Sequence, residues 1–361
     1  MLEVKVKRSL PDFQLDIDLS VDREILSILG PSGSGKTMTL LCIAGLVRPD
    51  QGSIRLNGRI LYSSQEGIFL PPQKRKIGFV FQNYALFPHL TVAENIAYGI
   101  SDNPKLIVKQ KVAELLELIH IPDLKDRYPG ELSSGQQQRV ALARAMAPEP
   151  EALLLDEPFS ALDTFRRERL EYELLTLHQY YRGDILFVTH DLDQGFKLGN
   201  RIAVFENGHL AQCDSRNNVI SAPANRTAAK LTGVKNLFRG QITNINNGSL
   251  AAYIPEFGKP LTITTGTNTL NLSINQQISI GIRPEHLEIP DEAKDNSISC
   301  RVEQLVDGVT TLHYFYYADS DGEKRYKIES CIARPLPPPR LKPGNSCYLY
   351  FPPERMIILP E

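Results

Sequence analysis

A chain of 361 residues that is 42% hydrophobic and 23% charged has the balance of a folded polypeptide with room for two domains, which excludes global disorder. Its 40 Lys and Arg against 42 Asp and Glu leave a net charge of −2, so there is no cationic excess with which to grip nucleic acid. The five cysteines lie at least sixteen positions apart and form no Cys-x-x-Cys pair; reduced thiols in a cytosolic setting are expected, with no zinc site. The most apolar long stretch, residues 25–47, is broken by Pro31, four glycines and Lys36, so it does not read as a membrane span. Residues 1–30 carry scattered charge in place of a basic start and an apolar run, and no secretory signal is read there.

In chain order, Ile25–Leu29 is a short apolar run ended by Gly30, and residues 37–45 then read as a helix. Residues 77–81 read as a buried strand. Between 109 and 119 the apolar residues Val112, Leu115, Leu116 and Ile119 recur at the spacing of one helical face. Residues 152–155 and 185–188 are apolar runs too short for helices but suited to strands buried on both sides. Strands alternating with helices predict a mainly parallel sheet covered on its faces. Past Leu237 the pattern changes. Short alternating runs at 278–282, 298–302, 311–317, 326–328 and 346–351 are separated by Gly, Pro, Asn and Asp. They predict an all-β barrel or sandwich. Proline density rises with this change, from 13 in residues 1–235 to 12 in the shorter 236–361. A domain boundary is placed at 235/236. The proline cluster at 335–339 reads as a stiff loop, and no internal repeat is present.

The strongest local signal is Gly30-Pro31-Ser32-Gly33-Ser34-Gly35-Lys36-Thr37, which satisfies G-x-x-x-x-G-K-[ST] between a strand and a helix. Its glycines let backbone N–H groups face phosphate oxygens, and the helix start adds a partial positive charge. Lys36 would neutralise the β- and γ-phosphates and the Thr37 hydroxyl would ligate Mg²⁺. The second signal is Leu153-Leu154-Leu155-Asp156-Glu157-Pro158. A buried strand here delivers Asp156 as a Mg²⁺ ligand and Glu157 to orient or deprotonate water.

Between these motifs, Leu132-Ser133-Ser134-Gly135-Gln136 resembles the LSGGQ signature of ATP-binding-cassette proteins. Gln82 matches that family's Q-loop, Ser160-Ala161-Leu162-Asp163 its D-loop, and His190 its switch histidine. With the phosphate loop and the acidic strand end, these motifs stand in the family's order and span about residues 1–235. The resemblance implies a P-loop α/β ATPase with a mainly parallel core sheet, an antiparallel β subdomain and a helical subdomain. It also implies ATP and Mg²⁺ as cofactors, with Gln82 joining Thr37 and Asp156 at the metal. Glu157, His190 and Gln82 would act on the γ-phosphate, in a head-to-tail homodimer. There Ser133, Ser134, Gly135, Gln136 and Asp163 of one copy would complete the site of the other. Phe13 is the candidate for adenine stacking, with an edge-strand core position as its alternative. Ser134 departs from the usual glycine; if it needed a positive φ, the closed dimer would weaken by about 1 kcal/mol.

One cassette and no membrane domain resemble the energy-coupling subunit of an importer at the cytoplasmic face of the membrane. Separate permease subunits would dock on the segment that begins at Asn83 and ends at Ile96, and an extracytoplasmic solute-binding protein would act indirectly. The runs at 9–13, 56–61, 67–72 and 75–82 are similar to ATPases of molybdate and tungstate importers. Sulfate, iron(III), polyamine or sugar transport, or an anion-sensing regulatory role, stand as alternatives. Residues 233–240 and 281–286 look like an accessory oligonucleotide-fold (TOBE-like) domain, whose role would be dimer contact or anion sensing.

Overall fold

Burial follows the apolar pattern closely. β1 (Leu2–Leu10) and β2 (Phe13–Val21) alternate buried and outward residues, as strands with one covered face do. β3 (Ile25–Leu29) is buried at every position. The chain continues through α1 (Lys36–Ala44), β4 (Gln51–Leu56), β5 (Arg59–Ser63), β6 (Ile68–Phe69) and β7 (Ile77–Val80). It then forms α2 (Val92–Ala97), α3 (Lys105–Leu118), α4 (Ser134–Met146), β8 (Ala152–Asp156), α5 (Thr164–Tyr180) and β9 (Asp184–Val188). α6 (Leu192–Leu198), β10 (Arg201–Glu206) and β11 (His209–Ser215) follow. The structure is a computed structural model that describes residues 1–160, 164–181, 183–246, 248–265, 272–318, 326–333 and 341–359. It divides into two units, Met1–Val219 and Ile220–Glu361.

In the first unit the described strands form a sheet of eleven, in the order β6-β5-β4-β1-β2-β11-β10-β3-β9-β8-β7. β10, β3, β9, β8 and β7 run parallel, while β1 pairs antiparallel with β2 and β4. Alternation along the central strands feeds two cores. Ala152 and Leu154 of β8, with Leu186 and Val188 of β9, pack on the side of Leu40 and Ile43 of α1. Leu153 and Leu155, with Ile185 and Phe187, pack on the other side against Ala141 and Ala145 of α4. The opposite edge of α4, Val140 and Ala143, joins Ile96 of α2 and Val112, Leu115 and Leu116 of α3 in a separate helical core. The signature helix thus bridges the sheet and the helical subdomain. The expected helices at 37–45 and 109–119, and the expected strands at 25–29, 77–81, 152–155 and 185–188, all form within a few residues of their predicted limits.

The second unit is all-β apart from α8. After α7 (Arg216–Ser221) and α8 (Arg226–Leu231) come β12 (Asn236–Asn246), β13 (Ser249–Ile254), β14 (Lys259–Thr264) and β15 (Gln277–Ile282). β16 (Ser297–Asp307), β17 (Thr311–Ala318), β18 (Lys327–Ala333), β19 (Ser346–Tyr350) and β20 (Ile357–Leu359) complete it. Its sheets have the orders β14-β13-β12-β15-β20 and β18-β17-β16-β19. They share a core that includes Phe238, Ile280, Tyr316, Leu349 and Phe351, consistent with an oligonucleotide-fold-like domain. The division at 219/220 falls ahead of the compositional boundary at 235/236. The cause is packing: Ala229 of α8 and Val234 join Leu237 and Leu359 of the β unit in one small apolar cluster. The Arg283 guanidinium also donates to the carbonyls of Ile220 (2.7 Å) and Thr232 (3.1 Å). Asp163 and the proline cluster at 335–339 lie outside the described residues. Among the described residues, no helix is long and apolar enough to cross a membrane.

Candidate active site

The phosphate loop leaves β3 at Leu29 and enters α1 at Lys36. Gly33 and Gly35 take φ of 77° and 101°, where a side chain would be strained. A Cβ on Gly35 would also stand 2.6 Å from Leu15 Cδ1 and 3.0 Å from Phe13 Cζ. Gly30 is needed for a different reason: its Cβ would lie 2.5 Å from the Phe205 carbonyl oxygen. Lys36 is 7% exposed, and its ammonium donates to the carbonyls of Gly30 (2.8 Å) and Pro31 (2.9 Å). Two of its three N–H donors thus close the loop and the third remains for an anion. Burial pushes the Lys36 ammonium down from its ordinary range, against the pull of Glu157 and Asp156.

β8 ends with Asp156, 5% exposed, which accepts from Thr37 Oγ1 at 3.1 Å. Burial pushes the Asp156 carboxyl up; the Thr37 hydrogen bond opposes this, Glu157 adds to it and Lys36 opposes it. Side by side, a hydroxyl and a carboxylate whose ionisation is held back by burial form a hard-oxygen pair that fits Mg²⁺. The next residue, Glu157, has a φ of 44°, a backbone state that non-glycine residues keep only where the surroundings impose it. Its N–H donates to Val188 at 3.1 Å, and its carbonyl accepts from Ser160 Oγ at 3.0 Å. This turn swings the Glu157 carboxylate into the cleft. There its Oε2 accepts from Gln82 Nε2 at 3.4 Å and lies 3.2 Å from His190 Nδ1.

A cleft of about 560 Å³ brings these groups together: Phe13 and Ser32 to Thr37 on one side, Gln82, Glu157 and His190 on the other. Gly30 and Pro31 lie beneath it through their bonds to Lys36. Phe13 stands at the lip over Gly35. None of Ser133, Ser134, Gly135 and Gln136 lines this cleft. They form the start of α4 instead. Ser133 Oγ accepts from the Gln136 N–H at 3.4 Å, and Gln136 Oε1 accepts from the Ser133 N–H at 2.8 Å, a reciprocal cap. Ser134 is the first residue of α4 and is not among the positive-φ residues. The strain that glycine would relieve is therefore missing.

Sequence reading missed three supporting residues. Arg144 of α4 donates to the carbonyls of Tyr84 (2.9 Å) and Ala85 (2.7 Å), two consecutive residues at φ of 62° and 45°. Buried Asn95 accepts from the Phe87 N–H and donates to the carbonyls of Phe87, Leu90 and Thr91. Together they fix the segment that follows Gln82. The third, Arg75, holds the far end of α1. The one sequence signal for Arg144 is a charge inside the otherwise small and apolar stretch from Val140 to Ala145.

Residues 15–160 match the family model described as ABC transporter. The spermidine/putrescine import ATP-binding protein PotA of Pseudomonas fluorescens is 36% identical over 343 residues, covering 93% of this chain and 89% of that protein. The sulfate/thiosulfate import ATP-binding protein CysA of Thermosynechococcus vestitus is 40% identical over 274 residues, covering 74% of this chain and 79% of that one. Among solved structures, a dimeric post-hydrolysis state of the ATP-binding cassette MJ0796, bound to ADP and phosphate, is 29% identical with a TM-score of 0.52. That match covers 60% of this chain and 99% of the other. A cleft built for a magnesium triphosphate, on a chain so similar along its length to import ATPases, leads to one assignment: the chain belongs to the ABC transporter family as an import-type ATP-binding subunit that hydrolyses ATP with Mg²⁺.

Proposed function

We propose that two copies of this chain close head to tail around two ATP molecules and that their hydrolysis drives import of a small solute through separate membrane subunits. The observation that carries this reading is the meeting of Gln82 and His190 on one Glu157 oxygen beside the phosphate loop. The loop N–H groups and Lys36 bind the triphosphate. Thr37 and Asp156, with Gln82 across the cleft, would hold Mg²⁺, which would supply neutralisation of the triphosphate charge. Glu157 Oε2 accepts a proton from a water aimed at the γ-phosphorus as the bond to ADP breaks. His190 donates to a γ-phosphoryl oxygen and, through Nδ1, fixes the orientation of Glu157. Ser133, with Ser134, Gly135, Gln136 and Asp163, serves the nucleotide of the partner copy. Phe13 offers the adenine a ring face at the lip of the cleft. The segment from Asn83 to Ile96 receives the permease, which holds the chain at the cytoplasmic face of the membrane.

For the solute, the relatives reported above are named for polyamine and for sulfate import. They support those alternatives over the molybdate or tungstate suggested by local wording. Polyamine import is favoured by the relative that spans 93% of the chain, and sulfate import by the one at 40% identity. Two measurements test the reading. Glu157→Gln is expected to lower hydrolysis by on the order of 10²-fold or more while ATP-dependent pairing persists; hydrolysis at the normal rate would remove Glu157 as the base. Uptake of labelled putrescine, sulfate and molybdate, with and without the chain, should lose putrescine or sulfate alone. Loss of molybdate uptake would reverse the order.

A further inference from the structure

The second unit carries a group of reactive side chains that ATP hydrolysis does not use. β17 and β18 pair antiparallel with His313 opposite Cys331 and Phe315 opposite Glu329. Alternation buries Leu312, Tyr314 and Tyr316, so Thr311 and His313 share the half-exposed face with Glu329 and Cys331. On that face His313 Nδ1 lies 3.1 Å from Glu329 Oε1. His313 Nε2 lies 3.8 Å from the Cys331 sulfur and 3.2 Å from Thr311 Oγ1. Lys235 Nζ donates to the same Glu329 oxygen at 2.7 Å. Asn236 holds the Glu329 backbone, donating to its carbonyl at 2.8 Å and accepting from its N–H at 2.9 Å.

This is the order nucleophile, imidazole, carboxylate. A carboxylate at Nδ1 keeps the neutral ring's proton on that nitrogen and leaves the Nε2 lone pair facing the thiol and the Thr311 hydroxyl. Burial pushes the Cys331 thiol up, Glu285 and Glu329 add to this, and Thr311 and Lys235 oppose it. The resting sulfur is therefore protonated and needs a base to become a nucleophile. Metal binding does not fit: Cys331 and Glu329 address opposite nitrogens of one ring, and no group of three metal-ligating side chains occurs among the described residues.

We propose that Cys331 is a thiol–disulfide exchange site for low-molecular-mass disulfides, with His313 as its base and Glu329 as the positioning residue. His313 Nε2 takes the Cys331 proton and the sulfur attacks one sulfur of the disulfide. That S–S bond breaks, a mixed disulfide forms on Cys331, and the departing thiolate takes the proton back from His313. The small disulfide is the oxidant: one half stays on Cys331 in the mixed disulfide and the other leaves as a thiol.

The test exposes the full-length chain to bis(2-hydroxyethyl) disulfide and follows the adduct at each of its five cysteines by peptide mass. Cys331 should react on the order of tenfold faster than the half-exposed Cys213 and Cys347. His313→Gln should slow Cys331 by on the order of tenfold and remove the imidazole inflection from its rate–pH profile, with melting and ATP hydrolysis as controls for folding. Glu329→Gln, which removes the carboxylate that holds Nδ1, should slow Cys331 several-fold, and Glu329→Asp should recover part of that rate. Reaction of Cys331 no faster than Cys347 in the unaltered chain, which requires no variant to fold, would overturn the proposal. So would a rate–pH profile that His313→Gln leaves unchanged.

Discussion

Asp156 stands under two opposed demands. To hold Mg²⁺ as proposed it must be ionised, yet it is 5% exposed, and burial disfavours its charge. For a carboxyl whose folded-state pKa is raised, the associated stability is complete below the unfolded-state value and is lost as pH rises through the folded one. At neutral pH the fold without nucleotide therefore carries the cost of an ionised Asp156. Asp156→Asn keeps the shape and an acceptor for Thr37 but removes that cost. In the absence of Mg²⁺ and ATP it should melt about 2 °C higher than the parent at pH 7. The gap should narrow as pH falls through the carboxyl range. The stabilisation that Mg²⁺ and ATP together give the parent should be lost in the variant, along with hydrolysis. Thermal melts across pH, with and without ligand, check all three; a variant that melts lower at pH 7 would show that the Thr37–Asp156 pair stabilises the empty fold.

α1 shows how an element is held at both ends. Its start is the phosphate loop; its end meets Arg75, which is fully buried. Arg75 Nη1 donates to the last-turn carbonyls of Cys42 (2.9 Å) and Ile43 (2.7 Å), and its Nε donates to Leu70 at 2.8 Å. A cation at a helix C-terminus offsets the macrodipole. The guanidinium also lies 5.1 Å from the Phe69 ring centroid. Burial pushes Arg75 down to about 10, so it stays charged at neutral pH. Gly45 follows at φ 81°, where a Cβ would sit 2.4 Å from Arg75 Nε. Arg75→Met takes a donor from each of three carbonyls and should cost the first unit about 3 kcal/mol, with Arg75→Lys recovering only part. Denaturant unfolding checks this; a loss under about 1 kcal/mol would mean that water replaces the guanidinium. Nothing in the sequence announces Arg75, because a charge satisfied by carbonyls leaves no periodic trace. β8 and β9 were legible for the opposite reason: they are buried on both faces, and apart from Asp156 and Asp184 at their ends every position is apolar. β12 to β14 escaped notice because Arg239, Gln241 and the small Ala251 and Ala252 blur the alternation. Composition places α8 ahead of the boundary while its packing joins it to the β unit, because composition records what a helix contains and not what it packs against.

At the scale of the whole molecule, the two halves of the proposed reaction centre do not meet within one chain. Motif order named Lys36, Gln82, Glu157 and His190, which the fold brings to one cleft, but it could not show that the signature lies away from that cleft. Lys36, Glu157 and His190 face one cleft, and the capped start of α4 at Ser133 lines none of it. In the proposed head-to-tail pair, two-fold symmetry would let each α4 start serve the other's phosphate loop. This arrangement differs from a self-sufficient chain in what happens when two damaged proteins are combined. Glu157→Gln leaves the signature intact and disables its own cleft. Ser133→Asp keeps a good helix cap but sets a carboxylate against the partner's terminal phosphate. Each variant alone should hydrolyse ATP poorly. In a mixed dimer, one cleft pairs glutamine with the damaged signature, while the other pairs Glu157 with an intact one. Mixing equal amounts before ATP is added makes half of the dimers mixed, each with one working cleft, so hydrolysis should recover to about a quarter of the parent rate. If each chain completed its own site, the mixture would never exceed the average of its two components.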